Sequence, residues 1–161
     1  MTFIALVIAM AGVMSSIAQS FPSVQYNQAT IVNSGSTNTA GFRIAVKRSG
    51  AAEYITIPRG ANARPAEPEK AEPEKPEPEK SGREISKDLA SRLFSDLEAA
   101  KPLGGLPAPR CLKSKSFGSR LTIEFGGEST PDLSCGDGGN EHLRAIIRDV
   151  SEMVSLFRAN Q

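Results

Sequence analysis

Phe42, Ile44 and Val46 alternate with Arg43, Ala45 and Lys47, the period-two pattern of a strand with one buried and one wet face. Arg48-Ser49-Gly50-Ala51 reads as a turn. In the run that follows, Ile55 and Ile57 share one face, Tyr54 and Thr56 the other, and Pro58 ends it, since proline cannot donate to a ladder. An earlier apolar stretch, Ala29 to Val32, supplies a third strand ahead of the polar loop Asn33 to Gly41. Two or three strands are marginal alone in water, so this piece has to pack on what comes after it.

The period changes beyond residue 80. Ser81 and Glu84 have the spacing of a capping box, and Ile85, Leu89, Leu93, Phe94 and Leu97 then recur at helical intervals until Pro102, which predicts an amphipathic helix. Leu103 to Arg110 is a breaker-rich loop. Leu121, Ile123 and Phe125 alternate with Thr122 and Glu124 as a further strand, Gly126-Gly127 turns the chain, and Leu133 to Cys135 is read as its antiparallel return. After the break at Asp137 to Asn140, Leu143, Ile146, Ile147, Val150, Val154 and Phe157 form one stripe, with Arg144, Arg148, Asp149 and Glu152 assigned to water. The order of elements predicts an α+β fold: a small antiparallel sheet with two amphipathic helices on one face.

Between the two patterns lies EPEKAEPEKPEPEK, Glu67 to Lys80, with six Glu against three Lys and no apolar side chain larger than Ala. Such a tract buries too little surface to offset its ordering entropy, so disorder is expected. Its prolines favour polyproline II, at ~3.1 Å per residue. The tract resembles the Pro-rich, Glu/Lys-rich spacers of TonB-type envelope proteins, and that resemblance implies a spacer. The expected layout is therefore a leader over 1–18, a β-hairpin part over 19–63, a disordered linker over 64–80, and a helix–hairpin–helix part of the same domain over 81–161.

The leader is read from Phe3 to Met14, apolar or small throughout, followed by Ser16 and Ala18 as small residues at a cleavage site. Twelve apolar residues fit a secretory signal and fall short of the ~20 a membrane span needs. No Lys or Arg precedes the apolar core, so an uncleaved anchor is the competing reading. Cleavage would leave no stable membrane span. Two cysteines, Cys111 and Cys135, lie beyond it; an even count in an exported chain predicts one disulfide. The protein is expected to be secreted or periplasmic. Overall the chain has 161 residues, 39% hydrophobic, with net charge +1, enough for one modest domain and without the basic excess that nucleic-acid binding calls for.

Motifs of chemistry are sparse. A nucleophile–histidine–acid triad has only His142 to draw on, and no phosphate loop, nucleophile elbow or metal-ligand spacing is present; no cofactor or metal is expected. Gly136 to Glu141 has oxygen ligands but lacks the alternating acids of a calcium loop. The stretch Arg110 to Arg120 (RCLKSKSFGSR) is richer: Arg110, Lys113, Lys115 and Arg120 with no acid, interleaved with serines and Phe117, and tied at one end by Cys111. It is the candidate binding site of a non-catalytic module for an envelope protein or an anionic surface polymer. The alternative is a small extracytoplasmic hydrolase using Glu124, Glu128 and Asp132 as carboxylates. The oligomeric state stays open.

Overall fold

The computed structural model describes residues 25–59, 79–113 and 118–159. The expected leader and residues 64–78 of the expected linker lie outside them. Six strands form one antiparallel sheet: β1 (Gln28–Asn33), β2 (Gly41–Lys47), β3 (Ala51–Ile57), β4 (Lys80–Glu84), β5 (Leu121–Phe125) and β6 (Glu128–Ser129), in the order β4-β3-β2-β1-β5-β6. Two helices, α1 (Lys87–Ala99) and α2 (Glu141–Arg158), cover one face. The fold is the expected α+β arrangement, carrying one disulfide between Cys111 and Cys135.

Register explains which side chains are buried. Ile31 stands opposite Ile44 and Ile123, and Ile44 opposite Tyr54, so these residues share one face. That face is dry: Ala29, Ile31, Phe42, Ile44, Val46, Ala52, Tyr54, Ile123 and Phe125 are all buried. Against it lie Leu89, Leu93, Phe94 and Leu97 of α1 and Leu143, Ile146, Val150, Met153 and Phe157 of α2. Burying one such side chain contributes roughly 1.5–3 kcal/mol. In β3 it is Tyr54 that enters the core, stacked between Phe42 and Phe157 at centroid distances of 5.5 and 5.3 Å. Ile55 and Ile57 sit half-buried on the outer face.

The β2–β3 turn depends on Gly50, whose φ of +95° and 2.8 Å approach of a virtual Cβ to the Ile85 carbonyl both exclude a side chain. Arg48 fastens this turn to the rest: its Nε donates to the Tyr26 carbonyl at 2.9 Å, its guanidinium lies 4.5 Å from the centre of the Phe94 ring, and it pairs with Glu98.

Four expectations are corrected. Lys80, expected to end the disordered linker, is the first residue of β4 and pairs with Ile55. Residues 81–84, expected to start α1, complete that strand; the helix begins at Lys87, where Ser86 Oγ accepts from the Leu89 amide at 3.1 Å. Leu133–Cys135 is a 3-10 turn, and the strand returning from β5 is the two-residue β6. Asp149, assigned to water, is fully buried between the helices.

Candidate functional site

Past α1 the chain makes a 3-10 turn at Leu103–Gly105, whose Leu103 is buried and whose Leu103 N–H donates to the Glu128 carboxylate. Pro107 and Pro109 restrict the stretch that follows, and Cys111 is joined to Cys135 with a Cα–Cα distance of 5.4 Å. Lys113 then turns inward. Its Nζ donates to Asp132 Oδ2 at 2.6 Å, to the Ser119 carbonyl at 2.7 Å and to Ser134 Oγ.

Asp132 is the hub of this frame. Its Oδ1 accepts from the Leu121 amide at 3.0 Å, the Ser134 amide at 3.1 Å and Ser134 Oγ at 2.5 Å. Burial pushes its carboxyl upward, but the bonds from Lys113, Ser134 and the two amides outweigh it and hold the group below its ordinary range. One ion pair thus binds together the two ends of the loop, the start of β5 and the turn that carries Cys135. On the far side, the Arg120 amide donates to Ser34 Oγ and the Ser34 amide to the Arg120 carbonyl, both at 2.9 Å, tying the segment to the β1–β2 loop.

What this frame presents to solvent differs from the sequence expectation. Arg110 and Arg120 are exposed. Lys113 is committed to Asp132 and belongs to the frame. Lys115 and Phe117 lie outside the described residues. Leu112, which the charge pattern did not single out, is fully exposed and is the one large hydrophobic residue so placed among those described. It stands beside Arg110 on a shallow groove of about 440 Å³ lined by Ala108, Pro109, Arg110, Cys111 and Leu112. The signal available in sequence was an apolar residue locked between a half-cystine and a charge.

Of the carboxylates considered for hydrolysis, Glu124 and Glu128 fall on opposite faces of the sheet and Asp132 is engaged by Lys113. Glu124 pairs across from Ser129 and projects on the outer face; Glu128 stands opposite Phe125 on the other face, spent on the Leu103 amide. His142 is the second residue of α2. Asp137 accepts from the Gly139 amide at 2.9 Å and from Arg144 Nε at 2.6 Å, contacts that lower its carboxyl, while Asn140 Oδ1 caps α2 through the Leu143 amide at 2.9 Å. Gly136 to Glu141 therefore serves the helix N-terminus. Among the described residues no group of three or more metal-ligating side chains comes together, and no helix is long and apolar enough to cross a membrane.

A second polar cluster joins the two helices. Asp149 Oδ1 accepts from Arg148 Nε at 2.9 Å and Arg92 Nε at 3.3 Å; Arg92 also reaches Glu152 at 2.5 Å, and Arg148 reaches Asp96 at 3.2 Å. Compared with known proteins, the chain matches no protein-family model and no curated protein.

Proposed function

We propose that this chain is an exported, non-catalytic binding module that works in the cell envelope or beyond it. Its contact element is the rim from Pro107 to Lys113, with Leu112 as apolar anchor and Arg110 and Arg120 as cationic flank. The partner is an envelope protein offering an apolar pocket with an acidic edge.

The observation that carries this reading is Leu112, held fully exposed on a pinned loop. A lone exposed leucine on a loose loop would carry little weight. Here the residue before it is a half-cystine, and the ammonium of the residue after it makes three hydrogen bonds. Much of the loop's conformational freedom is lost before any partner arrives, which lowers the ordering cost of binding. An apolar anchor between cations favours a protein over a polyanion, for which Leu112 would be idle. The disulfide supports an oxidising compartment outside the cytoplasm.

The test is retention of a partner from the protein's own solubilised cell envelope, compared between the unaltered chain and Leu112→Ser or Arg110→Glu. Leu112→Ser is expected to weaken retention at least tenfold, about 1.4 kcal/mol, with the melting temperature unchanged. Equal retention by both chains overturns the assignment. Lys113 is a poor probe, since Lys113→Glu would place a second carboxylate against Asp132 and disturb the frame itself.

A further inference from the structure

At the opposite edge of the sheet, β4 bonds to β3 on one side and ends the sheet on the other. All five of its residues, Lys80, Ser81, Gly82, Arg83 and Glu84, are exposed. The ladder fixes the direction of its backbone groups. The Glu79 carbonyl accepts from the Thr56 amide at 3.1 Å and the Ile85 amide donates to the Gly50 carbonyl at 2.9 Å, so odd-numbered residues bond inward to β3. By the alternation of an antiparallel pair, Lys80, Gly82 and Glu84 turn their amides and carbonyls toward the free edge.

Long open edges invite pairing, and charged side chains ordinarily discourage it. These charges are arranged differently. Laid antiparallel on a second β4 about a two-fold axis at Gly82, Lys80 of one copy meets Glu84 of the other, and Glu84 meets Lys80. Ser81 meets Arg83, and Gly82 meets Gly82. Both opposite-charge pairs fall on the outer face, where Lys80 and Glu84 form no ion pair among the described residues. The residues whose backbone groups point outward are also the ones the axis brings into hydrogen-bonded register.

Neighbouring registers are worse. Shifting the pair one way sets Arg83 against Arg83, and shifting it the other sets Glu84 against Pro78, which has no amide to donate. Space is available at the centre, because a Cβ added at Gly82 would meet nothing within 4 Å. On the core side, β4 borders an open groove of about 820 Å³ lined by Tyr54, Thr56, Phe157 and residues 79–83.

We infer that β4 is a self-complementary edge through which two copies of this chain join into one continuous twelve-stranded sheet, registered by paired Lys80–Glu84 contacts. The contact is isologous. It is also small, so association in roughly the micromolar range or weaker is expected. A two-fold dimer would place two copies of the Leu112 rim at opposite ends of one sheet. The inference stands on β4 alone and does not depend on what that rim binds.

The test is sedimentation equilibrium of the full chain, purified with the Cys111–Cys135 disulfide formed, from about 1 µM to about 1 mM. The unaltered protein should pass from monomer to dimer over that range. Lys80→Glu alone, and Glu84→Lys alone, each set like charges opposite one another twice and should weaken self-association about tenfold or more. An equimolar mixture of the two variants restores both opposite-charge pairs and should associate as the unaltered protein does. Circular dichroism and melting curves identical to the parent establish that these exposed substitutions leave the fold intact. A monomer at all concentrations overturns the inference. So do single variants that dimerise like the parent, or a mixture of folded variants that fails to associate.

Discussion

Asp149 has no exposed surface, and its two carboxylate oxygens have different surroundings. Oδ1 receives Arg92 and Arg148, whereas Oδ2 is buried with no hydrogen-bond partner among the described residues. On α1, Asp96 interacts with this carboxylate; its own carboxyl is raised above its ordinary 3.8, first by burial and then by the charge of Asp149, while Arg148 and Arg92 pull the other way. Glu152 completes the cluster through Arg92. A proton on Asp96 can be donated to the Asp149 carboxylate, removing one of two like charges. Because the folded chain holds this proton more tightly than the unfolded chain, stability is gained as pH falls from the raised value toward 3.8, and is lost as pH rises through the raised value. Asp132 acts with the opposite sign: its lowered carboxyl stabilises the fold above 3.8, and that contribution is lost as pH falls through its folded value. Asp96→Asn supplies a permanent donor without charge. It should raise the melting temperature at pH 7 by a few degrees, about what ~1 kcal/mol from pairing a buried acceptor gives in a domain of this size. The advantage should shrink as pH falls toward 3.8. A thermal series across pH checks it; a variant that melts lower at pH 7 would show that the Arg148–Asp96 contact matters more than the orphan oxygen.

At the scale of elements, the helices and the apolar strands were legible because each carries its own period. Leu89, Leu93, Phe94 and Leu97 repeat along α1, and Phe42, Ile44 and Val46 alternate along β2; every one of them is buried. What the pattern missed had no apolar signature to show. β4 reads Lys-Ser-Gly-Arg-Glu and is wholly exposed, so it exists as a strand only through its ladder to β3, a partner that local sequence does not reveal. The same blindness produced the wrong helix start, because Ser81 and Glu84 happen to carry capping-box spacing five residues early. Asp149 was misplaced for a related reason: a helical wheel assigns faces by type and cannot see two arginines closing over a carboxylate. The candidate site was half legible. Its disulfide and its charges were readable in sequence, but the commitment of Lys113 to Asp132 and the exposure of Leu112 are tertiary facts. The two serines separate the readings of α1. Ser86→Ala should cost about 1 kcal/mol in chemical denaturation, the worth of an N-cap, whereas Ser81→Ala should lie within roughly 0.5 kcal/mol of the parent. The reverse ranking would move the helix start back to Ser81.

Across the whole molecule, α1 and α2 are tied by packing on one face of the sheet, yet among the described residues between them the chain contributes only β5, the two-residue β6 and two 3-10 turns. The long excursion from Leu106 to Arg120 contains no strand or helix among its described residues. Its order rests on the disulfide, the Lys113–Asp132 pair and the exchange with Ser34. The Cys111–Cys135 link has a sequence separation of 24, and closing a loop of that length contributes about 3.5 kcal/mol on the chain-entropy view. That is a large fraction of the 5–15 kcal/mol typical of a folded domain. Replacing both cysteines by serine should therefore lower the melting temperature by roughly 10–20 °C, yet leave the sheet assembled, since Cys111 lies in a loop and Cys135 in a 3-10 turn, outside the six strands and both α-helices. Hydrogen exchange resolves the two effects. Amides of β1, β2 and α2 should keep their relative protection, while the Leu121 and Ser134 amides, which depend on Asp132, should exchange much faster because their acceptor is no longer held beside a closed loop. Uniform loss of protection across the sheet would mean instead that the disulfide supports the entire core, and that the Leu112 rim has no rigidity separate from it.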